Sequence, residues 1–521
     1  MFHATNIVFH LVNVCLVFWF IYLLSNKNNL VAALAALLFG IHPMHIESVA
    51  WIAELKDVLY GCFFLSSLIV FYLYSQNNAQ TKPKIILLAV SFLFFVLSLL
   101  SKPAAITLPF MLVLIDFYLH KKQDTRAWIE KIPFLICSIL FGLVTLKAQK
   151  ADHLLHDYYP IYMRVIFGSY AVLGYLFKLV IPTGLANFYP YPALHSGQLP
   201  MVYYLSLPVL AVIFYFVYKS LKINRLIAFG FLFFFINLLP VLQFVSFGDA
   251  IMADRYTYIS YLGLFFVLAM LVVSLFKGDY KHLKVNSSIV TAVIAVAIIA
   301  CSYLSYARCA VWENDETIAT DLYEKFPNDR LVINNLGFIL YNQKKYDTAI
   351  KLFHKAIELK PDYMMAYINL INSYMAIQDL NNVDKTVEIA LKHEPENINL
   401  LNVKAFLLYN KHDYQGAIPI YQKAVSIRKD NIDGYLYMAN CYIELKDFDH
   451  GIQIVDSGLV YAPNNEVLLN NKGYYLFLQG KYQLAIPPLQ AALQIDPTNK
   501  VATANLNACY KALNDTLGMK H

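Results

Sequence analysis

Long apolar runs separated by short polar loops fill the first 311 residues. The runs fall near 5–24, 29–41, 58–75, 84–101, 103–120, 130–148, 161–182, 201–219, 226–244, 257–276 and 286–307. A helix needs about 20 residues to cross a bilayer, so 29–41 is short and must borrow length from the stretch behind it or tilt. From residue 312 the pattern changes to ordinary amphipathic helices with soluble composition. The chain therefore reads as all-α: a polytopic helical membrane domain followed by a soluble helical domain.

Composition agrees. Of 521 residues, 59% are hydrophobic and 15% charged, against about 25% charged in a typical soluble protein. The formal charge of +6 is modest and sits largely in short loops. It is a topology signal, not the footprint of nucleic-acid binding. The seven cysteines show no CxxC or zinc spacing, which points to no disulfide framework.

Basic loops at 76–84, 121–131, 219–225 and 277–284 belong on the cytoplasmic side. If all eleven runs crossed, 121–131 and 219–225 would fall on opposite sides. One run between them must fail to span. The expected one is 161–182, which carries Arg164, Lys178 and several tyrosines. Ten crossings then put loops 42–57, 149–160, 183–200 and 245–256 on one outer face, together with the C-terminal domain.

The densest polar cluster of the membrane half is His42–Asp57, HPMHIESVAWIAELKD. Side chains such as His42, His45, Glu47, Glu54, Lys56 and Asp57 cannot face lipid cheaply. They must face a wet cleft, a protein interior or the interface. An interfacial helix anchored by Trp51 is the plainer alternative. Other outer loops add His156, Tyr158 and Tyr159, then FYPYP at 188–192, then Asp249, Asp254 and Arg255.

The soluble half carries a 34-residue register. Pro327, Pro361, Pro395, Pro463 and Pro497 share it, with Lys429 at the position that breaks the run. That period is the signature of tetratricopeptide (TPR) repeats. Small residues recur inside it: Gly337, Ala349, Ala356, Ala417, Ala424, Gly473, Ala485 and Ala492. The expected organisation is a membrane domain over 1–311, a connecting helix over 312–329 and five repeats over 330–499. A capping helix and tail follow over 500–521. Asn335, Asn369, Asn471 and Asn505 share one register position on the first helices. An amide both donates and accepts, so such a ladder can hold a peptide backbone in the groove of a solenoid. Asparagine is also a common consensus residue there.

The four motifs HPMHIESVAWIAELKD, SKPAAITLPFMLVLIDFY (101–118), MADRYTY (252–258) and WENDETI (312–318), followed by TPRs, resemble bacterial membrane proteins with C-terminal TPRs. These are similar to the transmembrane-and-TPR-containing protein O-mannosyltransferases. Segment 164–192 is similar to the domain that sits mid-chain in the eukaryotic members. The resemblance implies a GT-C glycosyltransferase fold. It further implies a polyprenyl-phosphate sugar as donor, a Ser or Thr hydroxyl of an exported protein as acceptor, and TPRs on the outer side. The family keeps its catalytic carboxylate in the first outer loop. This chain reads as starting after that loop, either as a shortened form or without that acid.

On that resemblance, Arg255 is the expected clamp for the lipid phosphate, with Lys102 or Lys56 behind it, because a guanidinium binds phosphate oxygens bidentately. A structural pair of Arg255 with Asp254, Asp249 or Glu47 is the alternative. Glu47 and Asp57 are the outer-cleft candidates for a catalytic acid or base. His42, His45, Trp51, Glu54, His156, Tyr158 and Asp254 would line the cleft. The HxxH spacing of His42 and His45 could bind a metal if Glu47 or Asp57 joined, but Pro43 favours a helix start and a capping role. No metal is expected, and no cofactor is assigned beyond the polyprenyl-phosphate sugar as donor substrate. Membrane lipids and an exported peptide are the expected partners. Abundant Lys, Asn and Ile suggest a bacterial source, and a plasma membrane with the TPR domain on its outer side is the expected location. A non-catalytic membrane-anchored TPR scaffold is the second function class. A transporter ranks behind both, since no internal repeat is visible in the membrane half.

Overall fold

The computed structural model describes residues 2–76, 82–121, 124–151, 159–192, 194, 197–242, 244, 250–278 and 286–518. The chain forms two compact units, Met1–Lys325 and Phe326–His521.

The first unit is helical. It opens with α1 (Phe2–Leu24), α2 (Asn29–Ile41), the short α3 (Ile46–Ala50), α4 (Leu55–Gln76), α5 (Lys82–Ser101) and α6 (Leu108–Tyr118). It continues with α7 (Thr125–Ile129), α8 (Ile132–Ala151), α9 (Ile161–Val180), α10 (Met201–Ile223) and α11 (Arg225–Leu238). It ends with α12 (Thr257–Lys277), α13 (Ser287–Val311) and α14 (Asp315–Lys325). All eleven apolar runs are helical. Among the described residues, eight helices are long and apolar enough to cross a membrane. Helix α2 and the segment Pro43–Ala50, bent by 54°, make a ninth if the pair counts as one span, and α6 and α11 are shorter. The chain is a multi-pass membrane protein.

Local chemistry sets the helix limits. Asn28 accepts hydrogen bonds from Leu30 and Val31 N–H at the start of α2, and Asn224 does so from Leu226 N–H at α11. Gly278 ends α12 in the left-handed region at φ 73°, where only glycine is free of strain. Hydrogen bonds and small residues fix helix pairs. Ser67 and Ser91 exchange hydroxyl-to-carbonyl bonds between α4 and α5, at 2.8 and 2.9 Å. Gly230 of α11 and Gly263 of α12 let the two backbones touch: a Cβ on Gly230 would lie 2.6 Å from the Gly263 carbonyl oxygen. The buried centre includes Phe39, Phe64, Phe95, Phe233, Tyr261 and Phe266.

The helix ends define two sides. One side, the cluster side, holds the ends of α2, α5 and α13 and the starts of α4, α6 and α12. There Ser305 donates to the Ile41 carbonyl at 2.7 Å. On the opposite side Arg225 donates to the Phe117 carbonyl at 2.8 Å. A two-stranded antiparallel ribbon, β1 (Tyr189–Pro190) with β2 (Ala250–Met252), pairs Tyr189 with Met252 on the cluster side.

The second unit contains five helix pairs: α15 (Arg330–Asn342) with α16 (Tyr346–Leu359), α17 (Met364–Ala376) with α18 (Leu380–His393), and α19 (Ile398–Asn410) with α20 (Tyr414–Ile427). Then come α21 (Ile432–Glu444) with α22 (Phe448–Tyr461), α23 (Glu466–Leu478) with α24 (Tyr482–Ile495), and a final α25 (Lys500–Gly518). The period shows in the backbone. Lys344, Gln378, His412, Lys446 and Gly480 all take positive φ at the turn between the two helices of a pair. The alanines 349, 356, 417, 424, 485 and 492 are fully buried between helices. Gly337 faces Phe353, leaving no room for a side chain. Asp329, Asp379, Asp413 and Asp447 cap their helices through backbone N–H groups.

Candidate functional site

The site assembles where α3, α4, α5 and α12 begin or end on the cluster side. A single turn, Asp254–Tyr256, leads into α12. Arg255 is its centre. Its guanidinium pairs with Glu47 Oε1 and donates to the Asn187 carbonyl at 2.9 Å. Its backbone N–H donates to Glu47 Oε2 at 2.8 Å. Its Nε lies 3.5 Å from Glu54 Oε1. The guanidinium also stacks over Trp51 and Tyr256, 5.6 and 5.1 Å from the ring centres. Sequence reading left Arg255 open between phosphate clamp and structural pair, and the geometry pairs it with Glu47.

Lys102 pairs with Asp57 Oδ1, and Ser48 donates to Asp57 Oδ2 at 3.1 Å. Lys56 is half exposed, at 51%, and its Nζ lies 3.4 Å from Glu54 Oε1. Glu54 is different from the other two carboxylates. It is buried, and its Oε2 has no hydrogen-bond partner. An unsatisfied buried acceptor is costly, which marks it as a place a ligand or water would complete.

Asp254 is buried and accepts from Tyr189 OH at 2.6 Å. Burial, reinforced by the Asp254 charge, holds the Tyr189 phenol well above its usual range, so it stays a donor. Tyr175 of α9 brackets the preceding residue: its hydroxyl accepts from Ala253 N–H and donates to the Ala253 carbonyl, both at 3.1 Å.

His42 and His45 do not stand in an open cleft. His42 caps the following turn by accepting from Met44 N–H at 3.3 Å, and its Nε2 meets the Leu179 carbonyl at 3.1 Å. His45 is fully buried, with Nδ1 2.8 Å from the Phe39 carbonyl. Both rings pack among Phe39, Tyr258, Tyr261 and Phe265. Among the described residues, no group of three or more His, Cys, Asp or Glu side chains is placed to hold a metal ion. His156, Tyr158 and Asp249 lie outside the described residues.

Sequence reading passed over a polar stripe on α1. Asn6, His10 and Asn13 lie at helical spacing in an apolar helix, which is the signal that could have found them. Asn6 donates to the Trp51 carbonyl at 3.0 Å, and Asn13 and His10 both meet Tyr258 OH at 2.9 Å. A second buried pair was also missed: Lys131 and Asp116, 2.6 Å apart on the opposite side, with Lys131 over the Phe71 ring.

Two spaces adjoin the cluster. A cavity of about 20 Å³ lies among Asp57, Tyr60, Lys102, Asn237 and Arg255, room for roughly one water. An apolar groove of about 510 Å³ opens between α6, α8 and α11, lined by Ile106, Phe110, Leu135, Ile139, Leu143 and Leu239. Thr107 lines the groove and donates to Asn237 Oδ1 at 2.7 Å, while Asn237 lines the cavity. The two spaces share that wall.

In the second unit, the asparagine ladder is partly engaged. Asn369 donates to Asn334 Oδ1 at 2.9 Å, and Asn505 to Asn470 Oδ1 at 3.0 Å. These bonds tie neighbouring first helices. Asn335 is exposed, and Asn471 is half-buried.

Fold and sequence together describe a multi-pass membrane protein that ends in TPRs. Residues 331–363 and 408–469 each match the tetratricopeptide repeat family. The chain is 25% identical to protein O-mannosyl-transferase F38B6.6 of Caenorhabditis elegans over 348 residues, 64% of this chain and 46% of that protein. It is 20% identical to human protein O-mannosyl-transferase TMTC3 over 573 residues, 97% of this chain and 60% of that protein. Most of the chain thus resembles proteins named protein O-mannosyl-transferase, and it spans about half the length of these curated relatives. Among solved structures, YrrB, a TPR protein with an unusual peptide-binding site, aligns over 36% of this chain and 96% of its own. The identity is 20% and the TM-score 0.32.

Proposed function

We propose that the chain is a GT-C-like glycosyltransferase that moves a mannose-like sugar from a polyprenyl phosphate to Ser or Thr of exported proteins. The observation that carries this reading is the adjacency of the apolar groove to the polar cluster through Thr107 and Asn237. A lipid tail in the groove would bring its phosphate toward Lys102 and Arg255. Glu47 and Asp57 are both engaged in ion pairs. Glu54 keeps a free oxygen, so we assign it the base. The acceptor hydroxyl attacks the anomeric carbon and gives its proton to Glu54. The bond to phosphate breaks, and the phosphate leaves with the electron pair into the field of Lys102 and Arg255. The similarity to the O-mannosyl-transferases supports the same class of chemistry.

The cluster side is the outer face in this reading. Lys121, Lys219, Lys222 and Lys277 all sit at the opposite ends of the helices, which suits the cytoplasm. The chain leaves the membrane unit on the cluster side, where Lys325 donates to the Leu185 carbonyl at 2.6 Å. That supports a periplasmic array on a bacterial plasma membrane, with exported peptide held on the first helices at Asn335 and Asn471.

A second reading, a membrane-anchored scaffold without catalysis, is favoured by the charge balance. Glu47, Glu54 and Asp57 already neutralise Arg255, Lys56 and Lys102. The two readings separate in one assay. The purified full chain receives a radiolabelled polyprenyl-phosphate mannose and a Ser/Thr-rich exported acceptor. Transfer supports the enzyme. Retention of acceptor without transfer supports the scaffold.

A further inference from the structure

Helix α9 has the length and hydropathy of a membrane span, yet both of its ends meet the same face of the protein. A 20-residue helix is about 30 Å long, enough to carry its ends to opposite sides. At the N-terminal end, the Tyr159 ring lies 4.8 Å from that of Tyr191, just after β1. At the C-terminal end, the Leu179 carbonyl meets His42, and Lys178 donates to the Thr183 and Gly184 carbonyls. Between the ends, a Cβ on Gly174 would run into Met252 of β2, and Tyr175 brackets Ala253. Every one of these partners belongs to the cluster side. The next helix also starts there: Tyr203 at the head of α10 stacks on Tyr170 at 4.2 Å.

The helix has two kinds of surface. Its middle, from Ile166 to Tyr175, is largely buried against the ribbon and α10. Its ends expose Ile161, Tyr162, Val165, Phe177 and Val180. Five apolar side chains in water would be unfavourable, whereas a helix lying at the headgroup boundary buries such residues in lipid.

We propose that α9 lies in the surface of the bilayer on the cluster side, with Ile161, Tyr162, Val165, Phe177 and Val180 in the lipid interface. It does not cross. The partner of this surface is the bilayer itself, and Tyr175 on the inward side ties the helix to the backbone that enters Asp254 and Arg255. The inference does not depend on the transferase reading, since it concerns only where the helix lies.

The test uses the full chain in sealed vesicles of known orientation. Pro160→Cys and Thr183→Cys flank the helix at exposed positions. Each variant is treated with a membrane-impermeant maleimide, and labelled peptides are resolved by mass spectrometry, so native cysteines need not be removed. Asp315→Cys marks the cluster side, and Lys277→Cys marks the other. The expected result is labelling of positions 160 and 183 from the side that labels 315, and not from the side that labels 277. Labelling of 160 and 183 from opposite sides overturns the proposal. A second measurement places nitroxides on Val165→Cys and Phe177→Cys. These positions are twelve residues apart, about 18 Å along a helix. Equal, shallow depths in lipid are expected. A depth difference near that length, or water exposure of both labels, overturns it.

Discussion

The backbone N–H and the guanidinium of Arg255 both end on a single carboxylate, that of Glu47, 208 residues away along the chain. This pair joins the turn before α12 to α3 and holds the floor of the polar cluster. Removing one partner strands the other as a buried charge. Arg255→Ala is expected to cost about 3–5 kcal/mol. Adding Glu47→Gln to Arg255→Met should recover a large part of that loss. Thermal unfolding in a common detergent checks both. Equal stability of Arg255→Ala and the native chain would contradict the pairing.

Helices α11 and α12 approach through Gly230 and Gly263. Gly230→Ala pushes a methyl group into the Gly263 carbonyl, so the helices must separate. The expected loss is about 1–3 kcal/mol, seen as a lower unfolding temperature. Gly142→Ala is the control, because nothing lies within 4 Å of its added methyl, and it should leave stability unchanged or slightly raised.

In the repeats, structure and recognition should separate at two asparagines. Asn369 is buried and bonded to Asn334. Asn369→Ala leaves that partner unsatisfied and is expected to cost about 1–3 kcal/mol. Asn335 is exposed, so Asn335→Ala should leave stability unchanged. If the first helices hold peptide, it should weaken peptide binding in a titration.

Acid should loosen the packing between the second and third repeats. Burial pushes the Asp384 pKa up, but hydrogen bonds from Lys404 and Lys411, both 2.7 Å, outweigh it and hold the pKa below the usual value. A depressed folded-state pKa contributes stability that is fully present above the unfolded value of about 3.9. That stability is lost as pH falls through the folded value. Protection of the backbone amides of α18 and α19, measured against the intrinsic exchange rate at each pH, should therefore fall below about pH 4. Asp384→Asn should flatten that dependence and exchange faster at neutral pH.

Much of this architecture was legible because membrane helices and repeats both write a period into the chain. The eleven apolar runs became eleven helices. The register marked by Pro327 and Pro361 reappears in the positive-φ turns at Lys344 and Gln378. The polar cluster stood out because charge is costly at membrane depth. Its pairing was less visible. Glu47 meets Arg255 and Asp57 meets Lys102 only after folding, and a single chain carries no signal for which acid finds which base. His42 and His45 were expected to line the cleft, but their hydrogen bonds to backbone carbonyls draw them into a ring cluster. Asp116 lies in the 101–118 motif and Lys131 at the end of a basic loop, and only folding brings them together as a buried pair. The polar stripe of Asn6, His10 and Asn13 on α1 is visible as spacing, but its partners Trp51 and Tyr258 meet it only after folding.

The most direct test of the central proposal is sugar transfer by Glu54→Gln. The full chain and this variant would be compared with the same radiolabelled polyprenyl-phosphate mannose and acceptor, after confirming equal unfolding temperatures. Loss of a general base typically lowers the rate about 10²–10⁴-fold. The account predicts transfer by the native chain and a loss of that order in Glu54→Gln, with donor binding retained. Equal transfer by both would contradict the role of Glu54, and no transfer by the folded native chain would contradict the enzyme reading itself.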